Sequence, residues 1–245
     1  MTMRILIRGL TIVELLSVMS IIGMLLAILL PSVIAVRERA RGIVCTANLR
    51  SLGFSLDIYA GENNGWLSAA EPRYKDDVAN RDNWYLNPEL MACMNITAQR
   101  DGDGLIVGPP AGGTILICPS HFRPTLTRAV HPDFPAKERP YALSYMMNGT
   151  WRLSNRGGRT GSYRHLSEFR RPSKTLALCD GNGYERARGI VFYEACPSHN
   201  FEYRHRDKIN VLYLDKHVDA LKEDDVPMGR ESRYEYFWSE KEVQK

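Results

Sequence analysis

The sequence predicts an α+β fold in which a long N-terminal helix packs on a C-terminal antiparallel β-sheet domain. Residues 15–36 form a run of 22 positions without a charged side chain. Apolar residues then recur at helical spacing up to Tyr59, and beyond Gly65 short strand-like segments alternate with clusters of Gly, Pro, Asn and Asp. At 245 residues, the chain accommodates one domain plus an appendage. We divide it into a leader (1–9), a helix (10–60) and a globular β-rich domain (61–245).

The uncharged run is long enough to cross a bilayer. As a helix rising about 1.5 Å per residue it is roughly 33 Å long. A secretory signal peptide has a shorter apolar region followed by a small-x-small cleavage site, whereas Arg37, Glu38 and Arg39 follow here. We therefore expect a single membrane span. Arginines flank it on both sides, so the positive-inside rule does not settle its orientation.

The residues just before the span carry the most specific motif, Arg8-Gly9-Leu10-Thr-Ile-Val-Glu14. This order resembles the prepilin N-terminus of type IV pilins and type II secretion pseudopilins. The resemblance implies that a prepilin peptidase cuts between Gly9 and Leu10 on the cytoplasmic side and that the new N-terminal residue is methylated. Leu10 stands where the family usually has Phe.

The same resemblance implies a structural, non-enzymatic role. The chain would be a subunit of a type IV pilus-like filament or a type II secretion pseudopilus. Its expected partners are the peptidase, other pilin or pseudopilin subunits, the inner-membrane assembly machinery and the lipid bilayer. The C-terminal domain would lie on the extracytoplasmic, periplasmic side of the inner membrane.

Glu14 matches the glutamate of that family. A carboxylate at the head of an apolar span costs a few kcal/mol unless it is paired or lies near the interface. The resemblance implies pairing with the free amine of Leu10 in the adjacent subunit. The alternative is that Glu14 sits among lipid headgroups.

Pro31 lies late in the span, where its ring and missing N–H predict a kink or local melting of the helix. Pilin-like helices often carry a proline at this depth. A tolerated transmembrane proline is the alternative interpretation.

After Arg37 the pattern becomes amphipathic, and the helix is expected to continue out of the membrane to about Ala60, over roughly 75 Å. The apolar stripe is spaced 4, 3, 4 and 3 residues apart and consists of Cys45, Leu49, Leu52, Leu56 and Tyr59. The sequence Glu62-Asn-Asn-Gly65 supplies a turn.

The chain has five cysteines, a number typical of an exported domain with one or two disulfides. Cys45 lies on the apolar stripe and should face the domain. Cys118 is its favoured partner, because residues 114–117 resemble a buried strand that would deliver it. Buried free thiols are the alternative.

Six strands are predicted, at 114–118, 142–147, 175–179, 189–193, 209–214 and 217–221. Asp215-Lys216 separates the last two and has the length of a two-residue hairpin loop. Such turns favour Gly at the second position, so Lys216 should adopt a left-handed conformation at a cost of about 1–2 kcal/mol.

Several short sequence motifs resemble, more specifically, those of large exported prepilin-type proteins of planctomycete-like bacteria. They include Cys45-Thr-Ala-Asn-Leu, Cys118-Pro-Ser and a histidine, His205, ten residues before Asp215. Those proteins end in a histidine, nine spacers and Asp-Gly. Lys216 replaces the glycine here.

No metal site is predicted, because histidines on strands usually serve as hydrogen-bonding groups, but two groups of residues are candidates. His205, Asp215 and His217 are the candidates for a His/Asp site, and Cys196 and His199 precede them. Asp101-Gly-Asp103-Gly104 resembles part of a calcium loop but lacks the distal glutamate. No cofactor is expected from the sequence, with calcium as the alternative.

No catalytic fingerprint supports an enzyme. The alternative function is a membrane-anchored extracytoplasmic enzyme or binding domain that uses the His/Asp site. Net charge is +4, and +2 without the leader arginines, so no specific nucleic-acid partner is indicated. The locally basic stretch 151–174 is either a solvated loop or an anionic contact surface.

Overall fold

The computed structural model describes residues 11–68, 72–73, 84–97, 99–100, 106–108, 115–120, 144–148, 154–156, 159–161, 164–181, 190–191, 201–226 and 237. The chain divides into two compact units, residues 1–40 and 41–245. Gly9, Leu10, the Asp101–Gly104 motif, Cys196 and His199 lie outside the described residues.

Helix α1 (Ile12–Glu62) contains 51 residues. It ends in a turn where Asn64 and Gly65 have φ values of 53° and 82°, and the Gly65 N–H donates to the Ala60 carbonyl at 2.7 Å. A Cβ at Gly65 would clash with the His165 ring, so glycine is required there for close approach as well as for backbone conformation. The helix therefore extends two residues beyond its predicted end.

Ten strands and a second helix lie in the described residues. They are β1 (Pro72–Arg73), α2 (Pro88–Cys93), β2 (Gln99–Arg100), β3 (Ile106–Gly108), β4 (Tyr145–Asn148), β5 (Ser154–Arg156), β6 (Arg159–Gly161), β7 (Leu176–Asp180), β8 (Ile190–Val191), β9 (Ile209–Tyr213) and β10 (Val218–Leu221). The main sheet has the order β10-β9-β7-β4-β8; two small sheets have the orders β1-β6-β5 and β2-β3.

The main sheet confirms the predicted α+β fold. Its four strands β10, β9, β7 and β4 are antiparallel, and β8 joins β4 in parallel at the edge. Every residue of β7 and β9 is buried, as expected for central strands covered on both faces. The part of α1 that packs on this sheet belongs to the unit of residues 41–245.

Two apolar clusters lie against the two faces of this sheet, because successive strand side chains point to opposite sides. Leu178 and Leu212 belong to the cluster that contains the buried stripe of α1. Cys179 and Val211, their neighbours in sequence, belong to the other cluster. Leu49 and Leu52 of α1 are fully buried in the first cluster, so the amphipathic half of the helix forms one wall of the core.

Five of the six predicted strands correspond to β4, β7, β8, β9 and β10, but the strand predicted at 114–118 is wrong in its described part. Residues 115–118 form turns instead. Their backbone makes single contacts rather than a ladder, since the Leu116 carbonyl accepts from the Ser144 N–H at 3.0 Å and the Ile117 carbonyl accepts from Asn48 Nδ2 at 3.1 Å. Leu116 and Cys118 are buried here, and Ile115 and Ile117 are partly buried, although the run does not join the sheet.

The hairpin between β9 and β10 corrects a second prediction. The Tyr213 carbonyl accepts from the Lys216 N–H at 2.9 Å, and the Tyr213 N–H donates to the His217 carbonyl at 3.0 Å. The loop thus contains three residues, 214–216, rather than two. Lys216 has φ 74°, so its left-handed conformation is confirmed.

Candidate functional site

The first turn of α1 is closed by a reciprocal pair of hydrogen bonds between Thr11 and Glu14. The Thr11 N–H and hydroxyl donate to Glu14 Oε2 at 2.9 and 2.8 Å, and the Glu14 N–H donates to Thr11 Oγ1 at 3.3 Å. This is a capping box, in which two backbone donors at the helix start are satisfied. The sequence reasoning assigned Glu14 to assembly and missed this local role, although the Thr-x-x-Glu spacing is its usual signal.

The first half of α1 carries apolar side chains on all sides of the helix. The large apolar side chains of residues 12–36 are 45–79 % exposed. In length and composition the helix is sufficient to span a membrane. It runs through Pro31 as continuous α-helix, so local melting is not observed there, and a kink at Pro31 stays a prediction.

In the second half, the predicted stripe from Cys45 to Tyr59 is buried as a whole. At Gly53 the helix lies close to β9 and its hairpin loop, because a Cβ there would lie 3.2–3.3 Å from side-chain carbons of Leu212 and Lys216. Lys216 also pairs through Nζ with Asp57 Oδ2 of the helix at 2.5 Å. Lys216 thus combines a left-handed backbone conformation, which glycine adopts most readily, with a side-chain contact to α1.

A disulfide joins α1 to the loop at 115–120. Cys45 and Cys118 are bonded with an S–S distance of 1.97 Å and a Cα–Cα distance of 5.1 Å, across 73 positions of sequence. This is the pair that the sequence favoured. The Tyr145 hydroxyl donates to the Cys45 carbonyl at 3.4 Å, so β4 also contacts the helix beside the disulfide.

A buried carboxylate and a histidine lie against this disulfide. His205 Nε2 is 3.4 Å from Cys118 Sγ and 3.3 Å from Asp180 Oδ2. Asp180 is fully buried at the end of β7, and its Oδ2 accepts from the Asn210 N–H at 2.8 Å. Burial, together with the negative charge of Asp180, raises the pKa of Tyr145.

The candidate metal residues His205, Asp215 and His217 divide between two places. His217 contacts Asp215 through Nδ1 and Asp219 through Nε2, and its ring stacks on Tyr213 at 4.2 Å. His205 precedes β9 and Asp215 follows it. Since a strand rises about 3.4 Å per residue, the five residues of β9 separate its two ends by roughly 17 Å.

Within the described residues, the single group of three potential metal-ligand atoms that lie within 4.8 Å of one another is instead Cys45, Cys118 and His205, and its two sulfur atoms are joined in the disulfide. Sequence reasoning recognised each of these residues but placed His205 with the wrong neighbours, and it did not use Asp180. The sequence did contain a signal for Asp180, since this acidic residue directly follows the apolar segment 175–179, which was predicted to be a strand. A charged residue at the end of a buried strand is itself buried only if it is paired.

The chain is similar in part to a curated pilus protein. It is 39 % identical over 61 residues to the type IV wide pilus major component PilA4 of Thermus thermophilus. The match covers 25 % of this chain and 47 % of the relative, so the chain spans about half the length of the protein it matches. No protein-family model matches the chain, and no solved structure matches it.

Proposed function

We propose that this chain is a structural subunit of a type IV pilus-like filament or a type II secretion pseudopilus, held in the inner membrane before assembly. The observation that carries the proposal is the division of α1 into two halves. The first exposes apolar side chains all round, and the second buries one face in a folded domain. The first half requires an apolar environment, which a bilayer supplies before assembly and the helices of neighbouring subunits supply afterwards.

Similarity to a pilus major component supports this interpretation of the helix. The disulfide between Cys45 and Cys118 supports an extracytoplasmic, periplasmic location of the domain, because disulfides persist in oxidising compartments. The inner-membrane assembly machinery and other pilin or pseudopilin subunits are the partners that this function requires.

Processing by a prepilin peptidase between Gly9 and Leu10, followed by methylation of Leu10, belongs to the proposal. Glycine suits the cleavage position because a Cβ would obstruct close approach of the peptidase to the backbone. Gly9→Ala should slow or abolish cleavage, as measured by mass spectrometry of the N-terminal peptide. Gly23→Ala is a matched control, since that glycine lies within the helix with open space around its Cα. A wild-type chain that retains residues 1–9 in cells with an active peptidase would contradict the prepilin interpretation.

Glu14 is proposed to pair with the Leu10 amine of the adjacent subunit during assembly. Both hydrogen bonds from Thr11 reach Oε2, so the capping box does not use Oε1. Glu14→Ala should leave membrane insertion intact and reduce incorporation into filaments, because both the pairing and the cap are lost. Incorporation is measured as the labelled variant recovered in sheared filaments, relative to wild type in the same cells.

Thr11→Val separates the two roles of Glu14. It removes the capping hydroxyl, a change of about 1 kcal/mol in helix stability, and keeps the carboxylate. If assembly depends on the inter-subunit pair, this variant assembles much better than Glu14→Ala. Equal defects in the two variants would assign Glu14 to capping alone.

The alternative function, a membrane-anchored enzyme or binding domain with a His/Asp metal site, was based on His205, Asp215 and His217. In the described part of the chain these residues contact different partners at opposite ends of β9. The filament proposal is therefore the one that the geometry favours.

A further inference from the structure

Four side chains of metal-ligand type converge where α1 meets the sheet. The ligand atoms of Cys45, Cys118 and His205 all lie within 4.8 Å of one another. The fourth side chain is Asp180, whose Oδ2 lies 3.3 Å from His205 Nε2. Each residue comes from a different part of the fold, namely the helix, the loop at 115–120, the turn that precedes β9 and the end of β7.

Two of the distances among them match edges of a tetrahedral zinc site. Zinc binds sulfur at about 2.3 Å and nitrogen or oxygen at about 2.0 Å, which gives sulfur–nitrogen edges of roughly 3.6 Å and nitrogen–oxygen edges of roughly 3.3 Å. The corresponding distances here are 3.4 Å between Cys118 Sγ and His205 Nε2 and 3.3 Å between His205 Nε2 and Asp180 Oδ2. The sulfur–sulfur distance is shorter, because the two sulfur atoms are bonded to each other and would separate to about 3.8 Å around the metal. Asp180 lies outside the 4.8 Å group formed by Cys45, Cys118 and His205, so its carboxylate would also have to move toward the sulfur atoms.

The environment of Asp180 gives an independent reason to expect a cation. The residue is fully buried, and its Oδ1 has no hydrogen-bond partner among the described residues. A buried carboxylate with one unpartnered oxygen is costly, and a metal ion bound through Oδ2 would compensate the negative charge that the two oxygens share. The Asn210 N–H, which donates to Oδ2, would orient the ligand in the way that outer contacts orient metal ligands.

The turn before β9 fixes the position of the histidine. Its middle residues, Arg206 and Asp207, both have left-handed φ values, 56° and 58°, and the His205 N–H donates to the Lys208 carbonyl at 3.2 Å. His205 is thus part of a tight, closed turn and not of a long loop. A ligand held in this way needs little reorganisation to bind a metal.

We propose that the reduced chain binds one zinc ion through Cys45, Cys118, His205 and Asp180, so that the disulfide and the metal site are alternative states of the same residues. Reduction transfers two electrons and two protons from a dithiol to the disulfide, which gives two thiols while the dithiol becomes a disulfide. Zinc then displaces both thiol protons and binds the thiolates. Thiolate, imidazole and carboxylate together favour zinc over calcium or magnesium.

The metal site goes beyond filament assembly and does not depend on it. The newly made chain carries both thiols reduced, so the zinc form is accessible before the disulfide closes as well as after it is reduced. Zinc would then hold α1 to the domain in place of the covalent bond.

The test uses the full chain in detergent micelles, in a background in which Cys93 and Cys196 are replaced by serine. Oxidised and dithiol-reduced samples are titrated with zinc alone, and bound zinc is measured by elemental analysis after desalting. Cobalt is titrated in parallel, because tetrahedral thiolate coordination gives it characteristic visible bands. We expect about one zinc per reduced chain and none above background in the oxidised chain.

The variants His205→Gln and Asp180→Asn should raise the Kd for zinc at least about 10-fold and change the cobalt spectrum. The matched control is His217→Gln, which removes a histidine on the hairpin and should leave the Kd unchanged. Circular dichroism of the oxidised variants checks that they fold; if Asp180→Asn does not, His205→Gln carries the test.

Two results would overturn the proposal. One is a reduced wild-type chain that binds no more zinc than a Cys118→Ala variant. The other is equal affinity in His205→Gln and His217→Gln, which would mean that the thiols alone take up zinc, as they would in an unfolded chain.

Discussion

Replacing Cys45 and Cys118 together with alanine removes the covalent link between α1 and the domain. The disulfide joins positions 73 residues apart. The chain-entropy treatment gives about 4 kcal/mol of stabilisation for a loop of this length, because the link restricts the unfolded chain. The double variant also loses two buried sulfur atoms, so its total loss of unfolding free energy should exceed that figure by about 1 kcal/mol.

The assay is urea unfolding of the full chain in detergent, followed by tryptophan fluorescence. With a urea dependence of about 2 kcal/mol per molar, a loss of about 4 kcal/mol lowers the midpoint by roughly 2 M. Reduced wild type lacks the covalent link but keeps both sulfur atoms, so its loss of unfolding free energy measures the effect of the link alone. A chelator is present so that no metal replaces the disulfide. Cys93→Ala is the control, since this half-buried thiol contacts Glu62 and lies outside the disulfide.

Two results would refute this stabilisation by the disulfide: a loss of less than about 1 kcal/mol of unfolding free energy in reduced wild type, or a loss in Cys93→Ala as large as that in the double variant. The first result would mean that apolar packing alone holds the helix. The second would mean that the loss reflects general sensitivity of the core to thiol removal.

Two further predictions concern the packing of the helix and the hairpin. Gly53→Ala should be less stable than Gly61→Ala by about 1–3 kcal/mol in the same assay, because its Cβ would crowd the sheet whereas Gly61 has open space; equal stabilities would refute the close approach. Burial, then the charges of Asp219 and Asp215, raise the pKa of Tyr213 to about 12. Neutral Tyr213 therefore contributes stability that is complete below about pH 10 and is lost as the pH rises through 12. After allowance for solvent screening the loss is on the order of 2 kcal/mol, and Tyr213→Phe should remove it in unfolding experiments across this pH range.

Local patterns in the sequence were sufficient for much of the fold. The uncharged run and the 4-3-4-3 stripe predicted one continuous helix with an exposed apolar half and a buried face, because helical periodicity depends on nearby residues alone. The left-handed conformation of Lys216 was predicted from a two-residue loop, and it occurs instead at the last position of a three-residue loop. The loop length was not predictable, since it depends on which backbone groups of β9 and β10 pair across the hairpin.

The segment at 114–118 shows where local reasoning fails. An apolar run indicates burial, and Leu116 and Cys118 are buried. Whether such a run joins a sheet depends on an available strand edge, and here its backbone instead meets Asn48 of the helix and Ser144. Burial was therefore predictable and secondary structure was not.

The sequence by itself determined the membrane-length apolar helix, its amphipathic continuation, the β-rich domain and the N-terminal motif on which the proposed processing depends. Only the tertiary structure decided the surroundings of His205. The sequence suggested Asp215 and His217, which are close along the chain, but β9 is a rigid extended strand that separates them from His205. His205 instead lies beside Cys118, which is 87 positions away in the sequence. The two residues meet because the core between α1, β7 and β9 forms only when distant segments of the chain pack together.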